Sequence, residues 1–481
     1  MNPTIILLCF IAYTVLLFFV TWLTSRKATN DTYYVGNKTS PWYVVAYGMI
    51  GASLSGVTFM SVPGLVGGQQ FTYMGLVFGF LLGYAVIATV LLPLYYKLNL
   101  TSIYSYLQQR FGFWSYKTGA FYFILSRVIG ASFRMFLVVN VLQVFVFDYW
   151  GVPFGVVVAI FISLIILYTF EGGVKTIIWT DMLQTTFMLL GVILSIYFIS
   201  KELGIGLGDI FQKISDAGYT RMVETDWHHK NFFLKQFFSG AFIAIVMTGL
   251  DQEMMQKNIS CKNLKEAQKN MFTFSGILVV VNLMFLTLGA VLYMYASSKG
   301  IEIPQKTDEL FPVIAFNYLG PVAGLVFMVG LVSAAYPSAD GALTALTTSF
   351  CVDFLGFKEK NNRTEIQKKR IRYIVHLSFA ALLLIVILIF RALNNEAVVN
   401  AIYTAAGYTY GPLLGLFSFG LFTKYQVKDN YIWIVALLSP IISYVISHYS
   451  EVLLGGYKFG FEVLILNGAL TFMGLFLLRK K

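Results

Sequence analysis

An apolar stretch that repeatedly interrupts itself constrains this chain most. Met49 to Gly68 reads MIGASLSGVTFMSVPGLVGG, with Gly51, Ser53, Ser55, Gly56 and Pro63 set among hydrophobic side chains. A helix in lipid has to satisfy its own backbone polar groups, because the hydrocarbon offers no water. A segment that weakens its own hydrogen-bond ladder survives at membrane depth only where it is packed in protein or lines a polar cavity. Freed carbonyls and neighbouring hydroxyls then form a set of oxygen ligands for a small cation. The stretch reads as an ion and solute site rather than as a simple anchor.

The rest of the chain provides the membrane setting. It is 58% hydrophobic and only 12% charged, against about 25% charged in soluble domains. Apolar stretches long enough to cross a ~30 Å hydrocarbon core recur from end to end. They run over roughly 4–24, 42–66, 72–95, 118–146, 152–170, 174–200, 232–256, 270–296, 319–350, 371–391, 397–422, 430–449 and 460–478. An all-α polytopic membrane protein with about 13 transmembrane helices is expected. The first span lacks a signal-peptide cleavage pattern and is kept as a helix. A net charge of +11 would point to nucleic acid in a soluble protein. Here the lipid bilayer is the expected partner and nucleic acid is not. Cys9, Cys261 and Cys351 are too far apart for a metal or redox motif and read as apolar packing. There is no catalytic triad, nucleotide loop or metal-binding cluster, so neither an enzyme nor a bound cofactor is expected.

Basic residues set the orientation. One series of loops carries Arg26, Lys27 and Lys38; Lys97, Arg110 and Lys117; Lys257, Lys262, Lys265 and Lys269; Lys358 to Arg372; Lys424 and Lys428; and Arg479 to Lys481. By the positive-inside bias these face the cytoplasm of a plasma (inner) membrane, with the N-terminus outside. Leu98–Phe111, with spaced apolar residues, is expected along the cytoplasmic interface. Asp209–Gly218 is expected as a short surface helix in a long external loop.

Charges inside spans carry the functional signal, because each costs several kcal/mol unless it faces a cavity or a partner. They are Arg127 and Arg134, Asp181, Asp251 and Glu253, and Asp340. Each has the alternative of a structural ion pair, and Asp251 and Glu253 are expected near the cytoplasmic interface. Arg134 also suits a solute carboxylate, through its planar fork. Ser55, Thr58, Phe59, Gln69 and Gln70 are candidate pocket residues beside the interrupted stretch.

At these residues the chain resembles the sodium:solute symporter family. GGVKTIIWTDMLQ at Gly172–Gln184 is similar to the family's GG-x-x-x-x-x-WTD-x-x-Q signature. RFG at Arg110–Gly112, SRVIGASFR at Ser126–Arg134, LDQEMMQKNISCKNLKEAQK at Leu250–Lys269, DELFP at Asp308–Pro312 and ADGALTALTTSFCVDF at Ala339–Phe354 follow in the family's order. The resemblance covers about residues 1–430. It implies one membrane transport domain with a five-plus-five inverted-repeat core of the leucine-transporter type. The first repeat would span 42–200 and the second 232–422, with 1–30 and 430–481 peripheral. Each repeat would begin with a broken helix beside midplane sites. The second break is expected near Ser239, Gly240, Thr248 and Gly249.

The resemblance also implies ligands. The family's conserved sodium site falls on the carbonyls of Gly51, Leu54 and Ala334 and the hydroxyl of Ser338, oxygen ligands suited to a hard cation. Pro337 stands where the family has a second hydroxyl, and its missing amide predicts a kink beside Ala334. A further sodium site found in some members falls on Asp181, with Asp340 and Gly341 at its hydroxyl positions. Solute positions of the galactose-binding branch fall on Thr58, Ala244 and Tyr403, with the aromatic gate at Met247, so most of that branch's polar set is absent. The implied function is secondary active transport, coupling sodium influx to uptake of a small polar organic solute by alternating access, and the carrier is expected to work as a monomer. A proton-coupled or uncoupled transporter on the same scaffold is the alternative. A transporter-like sensor is a further one; it would be expected to carry a C-terminal kinase or receiver domain, and this sequence ends at Lys481.

Overall fold

The computed structural model describes residues 1–25, 40–100, 102–169, 173–206, 208–357, 364–394 and 396–480. Arg26, Lys27, Lys38, Lys358 to Arg363 and Lys481 of the basic loops lie outside the described residues, as does Gly172 of the signature motif.

The helices used below are α1 (Pro3–Ser25), α2 (Trp42–Ser53), α3 (Gly56–Gln69), α4 (Met74–Lys97), α5 (Ser105–Arg110), α6 (Phe113–Phe145), α7 (Phe154–Thr169) and α8 (Gly173–Glu202). They continue as α9 (Ile210–Asp216), α10 (Phe233–Gly249), α11 (Gln252–Ile259), α12 (Leu264–Lys299), α13 (Leu310–Asn317), α14 (Gly320–Phe354) and α15 (Glu365–Leu393). α16 (Val398–Thr409), α17 (Gly411–Phe422), α18 (Ile432–His448) and α19 (Val463–Leu477) complete the chain. Among the described residues, eight helices are long and apolar enough to cross a membrane, or up to ten if each bent pair is one span. Three shorter apolar helices, at 154–167, 411–422 and 463–477, fall below that length. The protein is therefore an all-helical, polytopic membrane protein.

The two bent pairs organise the core. α2 and α3 meet at 59°, and α10 and α11 at 68°. The first break falls at Leu54 and Ser55, both extended, inside the glycine- and serine-rich stretch. The backbone bonds recorded around it are Leu54 N–H to Ile50 O and Phe59 N–H to Ser55 O. The four carbonyls from Gly51 to Leu54 receive neither. The second break falls at Leu250 and Asp251, directly after Thr248 and Gly249. Ser239 and Gly240 instead sit in regular helix, where the bare face of Gly240 lies against the backbone of α4 at Leu76. Small residues let helix backbones approach closely in lipid, and Gly79 and Gly83 of α4 complete the same contact against Phe237 and Ala241.

Three tyrosines answer the polar groups freed at the second break. Tyr95 donates its hydroxyl to Gly249 O and Tyr104 to Leu250 O, each at 2.9 Å, while Tyr410 donates to Asp251 Oδ2 at 3.1 Å. Asp251 itself caps α11, accepting from the amides of Glu253 and Met254. Tyr104 belongs to the Leu98–Phe111 segment, which corrects the interface expectation. Ile103, Tyr104, Tyr106 and Leu107 are buried, and the Ile103 amide donates to Gln252 Oε1 at 3.0 Å. The apolar spacing serves packing beneath the break. Arg110 then donates to the carbonyls of Gly420, Thr423 and Tyr425 at the end of α17.

Ile210–Asp216 forms the expected short helix, with Ile210 and Ile214 buried. Asp308, in the connection before α13, accepts from the Val398 amide at 2.9 Å. Burial pushes its carboxyl up to about 6. Pro337 does not end α14, which runs helically on both sides of it; the expected kink does not become a break.

Candidate functional site

The two breaks face a common cavity of about 60 Å³. Ala52, Ser53, Leu54 and Thr58 reach it from the first bent pair, and Ile243, Ala244, Met247, Thr248 and Met254 from the second. Tyr73 and Tyr84 of the α3–α4 region, Arg127 and Arg134 of α6, Asn282 of α12 and Tyr403 of α16 complete its polar wall. Tyr73 and Tyr403 share a hydroxyl–hydroxyl bond of 2.9 Å. Tyr73 also lines a second cavity of about 180 Å³, so it stands between two spaces.

Six of the expected solute or ion residues meet here: Leu54, Thr58, Arg134, Ala244, Met247 and Tyr403. Gln69 instead lines the second cavity, and Gln70 ends α3 with a left-handed φ of 53°. Ser55 is buried at the start of α3. Phe59 is fully buried and packs on Phe285, Phe311 and Phe327 at ring distances of 6.1, 5.3 and 5.8 Å. One residue turns a helix by about 100°. Thr58 therefore faces the cavity while Phe59 faces the aromatic core, which corrects its reading as a pocket residue.

The two arginines have different surroundings. Arg127 is 5% exposed and ion-paired with Glu253, with Asp251 Oδ2 at 3.7 Å. Among the described residues, Arg134 has no hydrogen bond or ion pair, and its guanidinium lines the cavity. A charged donor with five N–H groups in an enclosed polar space is suited to a planar anion.

Behind the cavity lies a charge network that the sequence reading did not assemble. Lys257 Nζ lies 2.7 Å from Asp181 Oδ2 and 3.2 Å from Glu253 Oε1. With Arg127 and Asp251, this joins α6, α8 and α11. Asp251 and Glu253 are 0% and 3% exposed, which corrects their expected place at the interface. Lys257, counted above among loop bases, is 2% exposed. Two signals pointed to it: its i,i+4 spacing from Glu253 and the need of buried Asp181 for a counter-charge.

The remaining candidate sodium ligands stand on α2 and α14. Ala334 and Ser338 are buried, and the Ser338 hydroxyl has no hydrogen-bond partner among the described residues. Asp340 is buried and accepts from the Gly341 amide at 2.5 Å. Gly51 packs on α8: a Cβ there would come within 3.4 Å of Asp181 O. No group of three or more His, Cys, Asp or Glu suited to a resident metal occurs among the described residues.

The sequence matches the model of the sodium:solute symporter family over residues 33–429. It is 24% identical to the sodium/sialic acid symporter SiaT of Proteus mirabilis, over 84% of this chain and 81% of that protein. It is 25% identical to the sodium/sialic acid symporter NanT of Aliivibrio fischeri, over 83% and 79% respectively. Its fold is similar to the substrate-bound, outward-open structure of a sodium-coupled sialic acid symporter, with a TM-score of 0.83 and 20% identity over 99% of both chains.

Proposed function

This chain belongs to the sodium:solute symporter family, and from the arginine that lines its cavity we infer that the solute it carries is a small polar organic acid. It is a membrane transporter and not an enzyme. It couples sodium influx to solute uptake by alternating access, with sodium as the coupling ion. Arg134 is the single observation that carries the acid assignment: a guanidinium with no hydrogen-bond or ion-pair partner among the described residues, lining the cavity between the two breaks. That the relatives SiaT and NanT are named for an acid agrees with it. Thr58, Tyr403 and Met247 would line the solute, while Ser55 lies beside the break and Gln69 and Gln70 lie further out.

Sodium would be held by the carbonyls of Gly51, Leu54 and Ala334 and by Ser338. Among the described residues, the carbonyls at the first break that accept no backbone hydrogen bond and the Ser338 hydroxyl without a partner support this set. Sodium bound there ties α2 to α14 beside the solute cavity. The coupling is reciprocal, so each ligand tightens the other. The bent helices would head two inverted repeats over 42–200 and 232–422, with 1–30 and 430–481 at the periphery.

Thermal unfolding of the purified protein with sialic acids, short monocarboxylates, amino acids and neutral sugars, with and without sodium, tests the assignment. The expected result is stabilisation by at least one carboxylate, larger in sodium. Stabilisation by neutral sugars alone would refute the acid reading. The loop bases further support an external N-terminus and a cytoplasmic C-terminus in the plasma (inner) membrane. A cysteine at Lys480 should then resist an impermeant thiol reagent in sealed cells, and rapid labelling would reverse the topology.

A further inference from the structure

Lys257 is the one amine placed between two buried carboxylates in this network, and its position is closely built. Nζ donates to Asp181 Oδ2 at 2.7 Å and to Glu253 Oε1 at 3.2 Å. All three side chains are at most 3% exposed. Glu253 fits because residue 341 is glycine: a Cβ there would collide with the Glu253 carboxylate, whose Oε2 would stand only 3.1 Å away. Asp181 lies directly behind the broken helix, its Cβ within 3.3 Å of where a Gly48 Cβ would be. Asp181 Oδ1 has no hydrogen-bond partner among the described residues. The carboxylate is therefore half-satisfied, and its charge is met by an ammonium fixed to the protein.

An ion taken from water must be stripped of its hydration, whereas a lysine already in the fold neutralises the same carboxylate permanently. We propose that Lys257 is a tethered monovalent cation that occupies the Asp181 carboxylate, so that a single sodium is coupled to each solute and removal of the ammonium opens a second sodium site at Asp181. This rests on the symport reading above and specifies its ion count.

Sodium alone is the probe. Thermal stability of the purified full-length protein is titrated with sodium chloride against choline chloride at constant ionic strength. A ligand at free concentration L that binds only the folded state stabilises it by RT ln(1 + L/Kd) per site, so above Kd the slope of stability against the logarithm of ligand concentration counts the ions bound. Native protein should follow a single-site curve. Lys257→Met should gain a second sodium-dependent component, the slope of stability against the logarithm of sodium concentration rising from that of about one bound ion toward two. Asp181→Asn/Lys257→Met removes both charges, is the safer variant to fold, and should return to the native single-site curve. A Lys257→Met titration that superimposes on the native one overturns the tethered cation alone. So does a double variant that loses its sodium response, because Asp181 would then be a sodium ligand in the native protein. A native protein that does not respond to sodium overturns the sodium-site reading together with this one.

Discussion

Arg134→Ala should abolish measurable solute binding while leaving the protein folded and still responsive to sodium. Truncating one member of a buried, hydrogen-bonded charge pair costs about 2–5 kcal/mol of affinity, which is on the order of 30-fold to several thousandfold. The expectation follows from what Arg134 lacks. Nothing among the described residues pairs with it, whereas Arg127, seven positions earlier on the same helix, is held by Glu253. Removing Arg134 thus strands no protein carboxylate. Arg134→Lys keeps the charge but replaces a planar fork with a point donor, so affinity should still fall about tenfold or more. Solute binding by isothermal calorimetry, alongside thermal stability, separates the roles. Unchanged affinity with lowered stability would make Arg134 a structural residue and remove the basis for an acidic solute.

Arg127→Met should have the opposite profile, destabilising the fold severely. It leaves Asp181, Asp251 and Glu253 as three buried carboxylates with one cation, Lys257, in place of two. Breaking a buried pair from one side costs about 3–5 kcal/mol, chiefly for the charge left behind. Adding Glu253→Gln to Arg127→Met should recover much of the loss, since the double variant leaves Lys257 facing Asp181. Thermal unfolding in detergent measures both. Equal stability of Arg127→Met and native protein would mean that the pair contributes nothing to the fold.

These two arginines show what a sequence can reveal here. The first break was legible because glycine and serine in an apolar run weaken the helix where it bends, at Leu54–Ser55. The second, which the family resemblance implies, falls just after Thr248–Gly249 and not at Ser239–Gly240. The cavity wall was legible where it lies beside a break, as at Leu54, Thr58 and Met247. The charge network was not. Lys257 and Asp181 are 76 residues apart, and a lysine past the end of an apolar span has the same pattern as one in a cytoplasmic loop. Leu98–Phe111 was misplaced for a related reason, since apolar spacing does not distinguish a lipid surface from a protein one. Phe59 reads as a pocket residue because it lies in the same interrupted stretch as Thr58, although adjacent helical residues point in different directions. Tyr73, Asn282 and Tyr84 were missed because aromatic and amide side chains occur throughout the chain and only packing selects among them.

Flux in proteoliposomes is the most direct test of sodium-coupled transport through this cavity. Reconstituted protein, supplied with the carboxylate that stabilises it most, should accumulate that solute against its gradient when sodium is high outside, and should fail to do so in choline or under a proton gradient alone. Accumulation driven equally well by protons, or facilitated equilibration without accumulation in sodium, would contradict it.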